Sequence, residues 1–355
     1  MTHLHACTEA GSRDSLLVKI FTTSSNLTFN ISRVEEEFLP NLTMQDPIPF
    51  PQFLHDLILP TATSLHLTTL PFHIHEVLLS FTFYTLFEKI ISPYISRKFF
   101  PRYYNTFPPR TRVNWDIHVT SFAQSLIICT ATIYVLLTDT ERIGSTWQER
   151  LYGYSGAGGL VQGMAAGYFM WDLTVCTINY SVLGPLDLLH GIIAGGVAIL
   201  GFRPFALYHG LSYLLFELST PFVNIHWMCD KVDMTGSTVQ WYNGVVLIAM
   251  FFSCRLIWGC LVTVHFFGDV WRTLREGPVT AAGVGKMGEG MAVQNSLPLW
   301  MAVLFCVGNL GLTGLNFFWF SKMIEAVRKR FRPEQGGTKE NGAVSKSDSG
   351  KVKVR

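Results

Sequence analysis

The sequence predicts an all-α integral membrane protein, a bundle of about seven transmembrane helices that encloses a polar cavity. Composition, the length of the apolar segments and the ionisable residues within them lead to this fold class. Of the 355 residues, 49% are hydrophobic, 14% aromatic and 15% charged, whereas soluble domains carry about 25% charge. The formal net charge is +2 and no basic stripe occurs, so we expect no nucleic-acid partner.

Residues 1–66 are predicted to form a polar, disordered arm on the lumenal side of a membrane. The arm is rich in Ser, Thr, Asn and Pro, and it contains N-glycosylation sequons at Asn26, Asn30 and Asn41. Three sequons in a short polar stretch favour exposure to the lumen, and we expect a glycoprotein. A cytosolic tail with chance matches to the sequon remains the alternative.

A transmembrane helical domain is predicted over residues 67–325, followed by a basic, disordered cytosolic tail over 326–355. Each apolar segment of the domain is near the roughly 20 residues that a bilayer requires. The fourth segment is the shortest, so a tilted or partly re-entrant segment is the alternative to a full span there. The segments are approximately 70–92, 114–137, 155–178, 186–203, 205–228, 240–267 and 297–321.

The distribution of Lys and Arg gives the orientation, because basic residues favour the cytosolic side of a membrane. They concentrate in the tail and in the connection between the first two spans, as Arg97, Lys98, Arg102, Arg110 and Arg112. With seven spans, a cytosolic tail places the amino terminus in the lumen, which agrees with the sequons. The basic tail does not indicate a particular protein partner.

Ionisable residues inside apolar segments predict the cavity. A charge at the centre of a bilayer costs roughly 2.5–3.5 kcal/mol, so such residues are expected to face one another across the bundle. Arg255 needs a carboxylate or a phosphate, and Glu217 and Asp172 are its candidate partners. We expect a cavity that opens to the cytosol or inner leaflet above a deeper Glu/Arg floor. Its candidate residues are His118, Asp172, Asp187, His190, His209, Glu217, Asn224 and Arg255.

Other motifs have narrower interpretations. Gly159, Gly163 and Gly167 form small-xxx-small steps that predict close helix packing. The His73–Glu76 motif (HIHE) lacks the spacing that puts two histidines on one helical face, so we expect no metal. The seven cysteines are scattered, and those in apolar runs are expected to be buried small hydrophobes.

His190 is the residue most open to a chemical interpretation. Asp187 lies one helical turn before it, and a carboxylate from Asp187 or Asp172 could hold the imidazole for general-base work. The alternative is a hydrogen-bonded histidine with a packing role. The sequence contains no phosphate-binding Gly-rich loop with Lys and no Gly-x-Ser-x-Gly elbow.

Four motifs in order resemble the TLC domain, the family of translocating-chain-associating, longevity-assurance and ceroid-lipofuscinosis membrane proteins. They are NWDIHVTS at 114–121, GYFMWDL at 167–173, LLH at 188–190 and ELSTPFVN at 217–224. The resemblance covers about residues 110–270. It implies a protein of the endoplasmic reticulum that binds, senses or moves a membrane lipid, a phospholipid or a sphingolipid, without catalysis or cofactor.

The resemblance also sets the alternative function. The ceramide synthases of this family acylate a sphingoid base with fatty acyl-CoA and use adjacent histidines in the LLH motif. Here the second position is Gly191, and the acidic pattern that follows in those enzymes is absent. A sphingoid-base N-acyltransferase that uses His190, with acyl-CoA as co-substrate, is therefore the alternative to a lipid-binding protein.

Overall fold

The computed structural model describes residues 46–139, 146–277 and 297–330, and every regular element within these ranges is helical. Helix α2, residues 70–99, contains a π-helical turn at Phe87–Ile91, and helix α11, Thr238–Glu276, contains another at Phe252–Ile257. A 3-10 turn, Leu215–Ser219, joins α9 to α10. The helices are α1 Gln52–Ser64, α2 70–99, α3 Pro101–Tyr104, α4 Pro109–Thr138, α5 Trp147–Tyr152, α6 Gly156–Ile178, α7 Tyr180–Leu183, α8 Pro185–Leu200, α9 Leu207–Leu214, α10 Thr220–Lys231, α11 Thr238–Glu276 and α12 Leu299–Arg330.

Three helices in the described ranges are long and apolar enough to cross a membrane: α4, α11 and α12 over Leu299–Arg328. Helix α8 is equally apolar but shorter, since its 16 residues span about 24 Å against a hydrocarbon core of about 30 Å. Helices also lie at the other predicted segments, as α2, α6 and the α9–α10 pair. Membrane crossing by those four segments stays a prediction.

Two predicted domain boundaries differ from the structure. The arm assigned to 1–66 contains a helix at its end, because Ile58 and Ala62 of α1 pack against the start of α2. Ser, Thr and Pro in the same stretch hide that apolar face in the composition. At the other end, the tail assigned to 326–355 begins within a helix, because α12 continues to Arg330. On the surface of this helix Lys322 pairs with Glu325 at 3.0 Å. The sequons and residues 331–355 lie outside the described ranges.

The glycines of α6 allow it to pack closely against α2. A Cβ at Gly159 would overlap the ring of His73, and one at Gly163 would lie 2.7 Å from Oε2 of Glu76. Close backbone approach through small residues is how helices associate in lipid. Helix α6 also contacts α4, α8 and α9, so the predicted structural role of the glycines agrees with the structure.

Candidate functional site

The bundle contains a cavity of about 160 Å³, which is surrounded by helices α6, α8, α9, α11 and α12. Its wall on α8 runs from His190 to beyond the last turn at Gly201, a length of about 16 Å at 1.5 Å per residue. Gly210 lines the cavity and is exposed, so the cavity reaches the surface of the bundle at α9. Its polar lining residues are Gln162, His190, His209, Tyr213, Glu217, Arg255, Asn309, Thr313 and Asn316.

Most of the cavity wall is apolar, which differs from the polar cavity that the sequence predicts. The remaining lining residues are aliphatic, aromatic or glycine, among them Phe169, Ala194, Val197 and Phe305. The reason is the rotation of the helices. Several predicted polar residues face neighbouring helices, and the largely apolar face of α8 turns toward the cavity instead.

Arg255 is paired with Glu217 on the cavity wall, as the sequence suggested. Nη2 of the guanidinium lies 3.5 Å from Oε1 of the carboxylate, and the ring of Phe251 lies 5.2 Å from the guanidinium carbon. Its nitrogens also donate at 2.9 to 3.1 Å to the carbonyl oxygen of Phe216 and to the side-chain oxygens of Ser219, Thr220 and Asn316. Because one carboxylate and four oxygens already engage it, Arg255 has little capacity left for a phosphate.

His190 also lines the cavity, with its Nδ1 buried and without a hydrogen-bond partner. The rings of Phe169 and Trp319 lie edge-on to the imidazole, at centroid distances of 6.4 and 5.6 Å. Within the described part of the chain, no hydrogen bond or ion pair joins His190 to Asp187 or Asp172. The imidazole therefore lacks the carboxylate that the general-base hypothesis requires. Asp187 stands in the first turn of α8, where the helix dipole favours a negative charge.

Asp172 lies beside the cavity but does not line it. Its carboxylate contacts α8 at Gly191, where an added Cβ would lie 3.3 Å from Oδ2, and its Oδ1 is 3.9 Å from Sγ of Cys176. Position 191 is the place of the second histidine in the ceramide synthases. The glycine here leaves Asp172 without an imidazole neighbour at that position.

His118 and Asn224, two further predicted cavity residues, bond to each other between α4 and α10. Nδ1 of His118 lies 2.7 Å from Oδ1 of Asn224, and the amide of Asn224 donates to Oγ of Ser121 at 3.2 Å. The imidazole stacks on Trp227 with ring centroids 4.0 Å apart. These residues are not among those that line the cavity. Their contacts fit a packing role between two helices.

His209 lines the cavity and belongs to an ion-pair network that sequence reasoning missed. Its Nε2 lies 3.1 Å from Oδ2 of the buried Asp269. Arg150 donates to both carboxylate oxygens of Asp269, from Nε and Nη2, at 2.7 Å each. These hydrogen bonds raise the pKa of the Arg150 guanidinium further above its usual range. The network joins α5, α9 and α11, and an acidic residue after a long apolar run was the only signal for it.

The fold and the site together define an all-helical membrane protein with a largely apolar cavity among its helices. A family model described as the TLC domain matches residues 114–325. The match covers more than half of the chain, so the chain belongs to the TLC domain family, as the four motifs suggested. All the residues that line the cavity fall within the matched segment.

Individual relatives extend the similarity across most of the chain. An uncharacterized TLC domain-containing protein of Schizosaccharomyces pombe is 35% identical over 289 residues, which cover 81% of this chain and 90% of the relative. The Topoisomerase I damage affected protein 4 of Saccharomyces cerevisiae is 29% identical, over 74% of this chain and 86% of the relative. The TLC domain-containing protein 4-B of Danio rerio is 26% identical, over 70% and 87%.

Proposed function

We propose that this protein binds a membrane lipid, a phospholipid or a sphingolipid, in the cavity and serves membrane lipid homeostasis without catalysing a reaction. The observation that carries the proposal is the apolar wall along α8, about 16 Å long, with the imidazole of His190 at one end of it. An acyl chain that enters from the bilayer exchanges contacts with other lipid tails for contacts with an equally apolar wall, so its burial there carries no desolvation cost. The exposed Gly210 marks an entry from the side of the bundle.

The polar contact of the bound lipid is assigned to His190 and not to Arg255. His190 lines the cavity, and no hydrogen bond joins its imidazole to another of the described residues, so the ring is available for a hydroxyl or amide of the lipid where it faces the cavity. Arg255 is already engaged by Glu217 and by four oxygens. A lipid with a hydrogen-bond donor near its chains therefore fits the cavity better than one held by a phosphate alone.

Binding without catalysis is supported by the surroundings of His190. An acyltransferase needs a base that removes a proton from the amine, and a carboxylate normally orients such a histidine. Neither Asp172 nor Asp187 is bonded to the imidazole in the described ranges, and Gly191 takes the place of the second histidine. These features favour a binding site over an acyl-transfer site.

We also assign the protein to the membrane of the endoplasmic reticulum, with a lumenal amino terminus and a cytosolic carboxyl terminus. The basic residues at the end of α2, in α3 and at the start of α4, together with those in the tail, support this orientation. In this arrangement His190 stands near the cytosolic end of the cavity, while the Asp269 network stands near its lumenal end.

Lipid analysis of two matched glycine variants tests the proposal. A Cβ at either Gly210 or Gly196 would have no neighbour within 4 Å, yet only Gly210 lines the cavity. In Gly210→Leu the new side chain would occupy cavity space, whereas Gly196→Leu makes the same change elsewhere in an apolar helix. The measurement is the amount and identity of lipid that copurifies with the full chain, by mass spectrometry.

We expect one lipid class to be enriched on the wild-type protein and on Gly196→Leu, and to fall several-fold on Gly210→Leu. Equal lipid content in all three proteins, or a lipid profile that matches the bulk membrane, would overturn lipid binding in this cavity. The absence of catalysis has its own test. Turnover of acyl-CoA with a long-chain amine that is lost in His190→Ala would show an enzyme.

A further inference from the structure

A second polar cluster lies at the start of α2, outside the matched TLC segment. Asp46 precedes α1, while His75 and Glu76 belong to α2, and one ligand atom from each of the three lies within 4.8 Å of the others. Within the described ranges, each side chain also has a buried atom without a hydrogen-bond partner: Oδ2 of Asp46, Nδ1 of His75 and Oε1 of Glu76. Glu76 is only 3% exposed, so bulk water does not satisfy its free oxygen.

His73 is the side chain that lies within ion-pair distance of both carboxylates of the cluster. Nδ1 of His73 lies 2.8 Å from Oε2 of Glu76 and 3.3 Å from Oδ2 of Asp46, and its other nitrogen contacts the hydroxyl of Tyr154. No Lys or Arg of the described residues lies within ion-pair distance of either carboxylate. Buried carboxylates are normally paired with cations or bound to metals.

The donor set indicates the kind of cation. One imidazole and two carboxylates suit Zn²⁺ and similar divalent transition metals, whereas Ca²⁺ takes six to eight oxygen ligands. Nε2 of His75 lies 3.9 Å from Oε1 of Glu76 and 3.2 Å from the carbonyl oxygen of Ile48, to which it donates. The lone pair available for a metal is therefore on the unpartnered Nδ1, and a metal-binding imidazole commonly donates its other N–H to a backbone carbonyl. We propose that Asp46, His75 and Glu76 bind a divalent transition-metal cation of the Zn²⁺ type.

This site differs from the metal motif that the sequence analysis set aside. A site made of His73 and His75 fails because the two histidines do not share a helical face. The structure instead combines one of them with the adjacent Glu76 and with Asp46, which lies on a separate segment. Nδ1 of His73 bonds Oε2, the second carboxylate oxygen of Glu76, and carboxylates that bind metals commonly have such an additional hydrogen bond. The cation would tie the segment before α1 to the first turns of α2.

Metal binding by the purified full-length protein tests the site directly. Metal-free protein in detergent is titrated with Zn²⁺, the bound metal is counted by mass spectrometry, and Co²⁺ absorption reports on the ligand field. We expect one Zn²⁺ per chain, with affinity at least tenfold weaker in His75→Ala and in Asp46→Asn. Two independent ligand variants are used so that the test still holds if one of them fails to fold.

Matched controls exclude other imidazoles of the chain. His55 lies 3.0 Å from Asp56 and, among the described residues, within ion-pair distance of no second carboxylate, so His55→Ala should bind Zn²⁺ like the wild type. His3 and His5 lie outside the described ranges, and the His3→Ala/His5→Ala double variant should also retain the site. Wild-type protein that binds no more Zn²⁺ than His75→Ala, or a loss of binding in either control, would overturn the proposal. The measurement counts bound metal only, so its outcome is independent of the proposed lipid binding.

Discussion

The guanidinium of Arg255 lies 3.5 Å from the carboxylate of Glu217, at a point where both helices depart from α geometry. Arg255 is within the π-helical turn of α11, and Glu217 is within the 3-10 turn between α9 and α10. Single π turns inside α-helices occur frequently at functional sites. The two irregular turns contact each other, so the ion pair fastens α11 to the α9–α10 connection on the cavity wall.

Removal of Arg255 should be more damaging than neutralisation of Glu217. In Arg255→Leu the carboxylate of Glu217 loses its counter-charge in a buried place, and breaking such a pair costs about 3–5 kcal/mol. In Glu217→Gln the guanidinium also loses its counter-charge, but its four other oxygen acceptors remain and solvate the charge, so the loss of stability should be smaller. Thermal unfolding of the two variants in detergent measures the difference. A Glu217→Gln/Arg255→Leu double variant that is no more stable than Arg255→Leu would argue against the uncompensated charge as the cause.

The glycine contact between α6 and α2 predicts a steric effect at Gly167. A Cβ there would overlap the carbonyl oxygen of Val77 and lie 2.6 Å from Cβ of Ser80, both parts of α2 that cannot move alone. Gly167→Ala should therefore destabilise the protein by about 1–3 kcal/mol, the usual cost of overpacking. At Gly196, where nothing lies within 4 Å of an added Cβ, the same change should be neutral or stabilising by about 0.5–1 kcal/mol. Equal unfolding temperatures for the two variants would contradict the close contact.

The helix positions and the Arg255–Glu217 pair could be predicted from the sequence for simple reasons. A long apolar run can satisfy its backbone in lipid only as a helix, and a cation in such a run needs an acidic partner. The rotation of each helix about its axis, which decides which side chains face the cavity, could not be predicted in this way. Asp172 turns toward Gly191, and His118 toward Asn224, so the cavity wall is more apolar than the list of polar residues suggested.

Contacts between distant parts of the chain were also beyond sequence reasoning. Asp269 is separated from Arg150 by 119 residues and from His209 by 60, and no spacing rule joins them. Asp46 likewise reaches the start of α2 only because α1 folds back between them. Helix α1 itself was hidden, since Pro60 and the Ser/Thr-rich composition of its neighbourhood are typical of irregular structure.

The Asp269 network predicts a stability effect far from the cavity floor. In Asp269→Ala, Arg150 loses both of its carboxylate hydrogen bonds and His209 loses its acidic partner, so we expect a loss of about 3–5 kcal/mol. Asp56, whose side chain is 61% exposed beside His55, provides the control. Asp56→Ala should change the unfolding free energy by less than about 1 kcal/mol, because exposed ion pairs contribute little. Similar losses in the two variants, measured by thermal unfolding, would show that the network is not stabilising.

The proposed orientation predicts where sugar can be attached to the chain. Asn26, Asn30 and Asn41 lie in the arm assigned to the lumen, where N-glycosylation takes place. Glycosidase treatment should lower the apparent mass of the wild-type protein, and Asn→Gln changes at the three positions together should abolish that shift. Such a result places the amino terminus in the lumen independently of the Lys and Arg distribution.

A new sequon in the tail supplies the matched control for that orientation. Ala343→Thr completes an Asn-Gly-Thr sequon at Asn341, in the segment assigned to the cytosol. Because the modifying enzyme acts only on the lumenal side, Asn341 should stay unmodified in this variant while the native sequons carry sugar. Sugar at Asn341 but not at the native sequons would reverse the topology. His190 would then stand near the lumenal end of the cavity, and the Asp269 network near the cytosolic end.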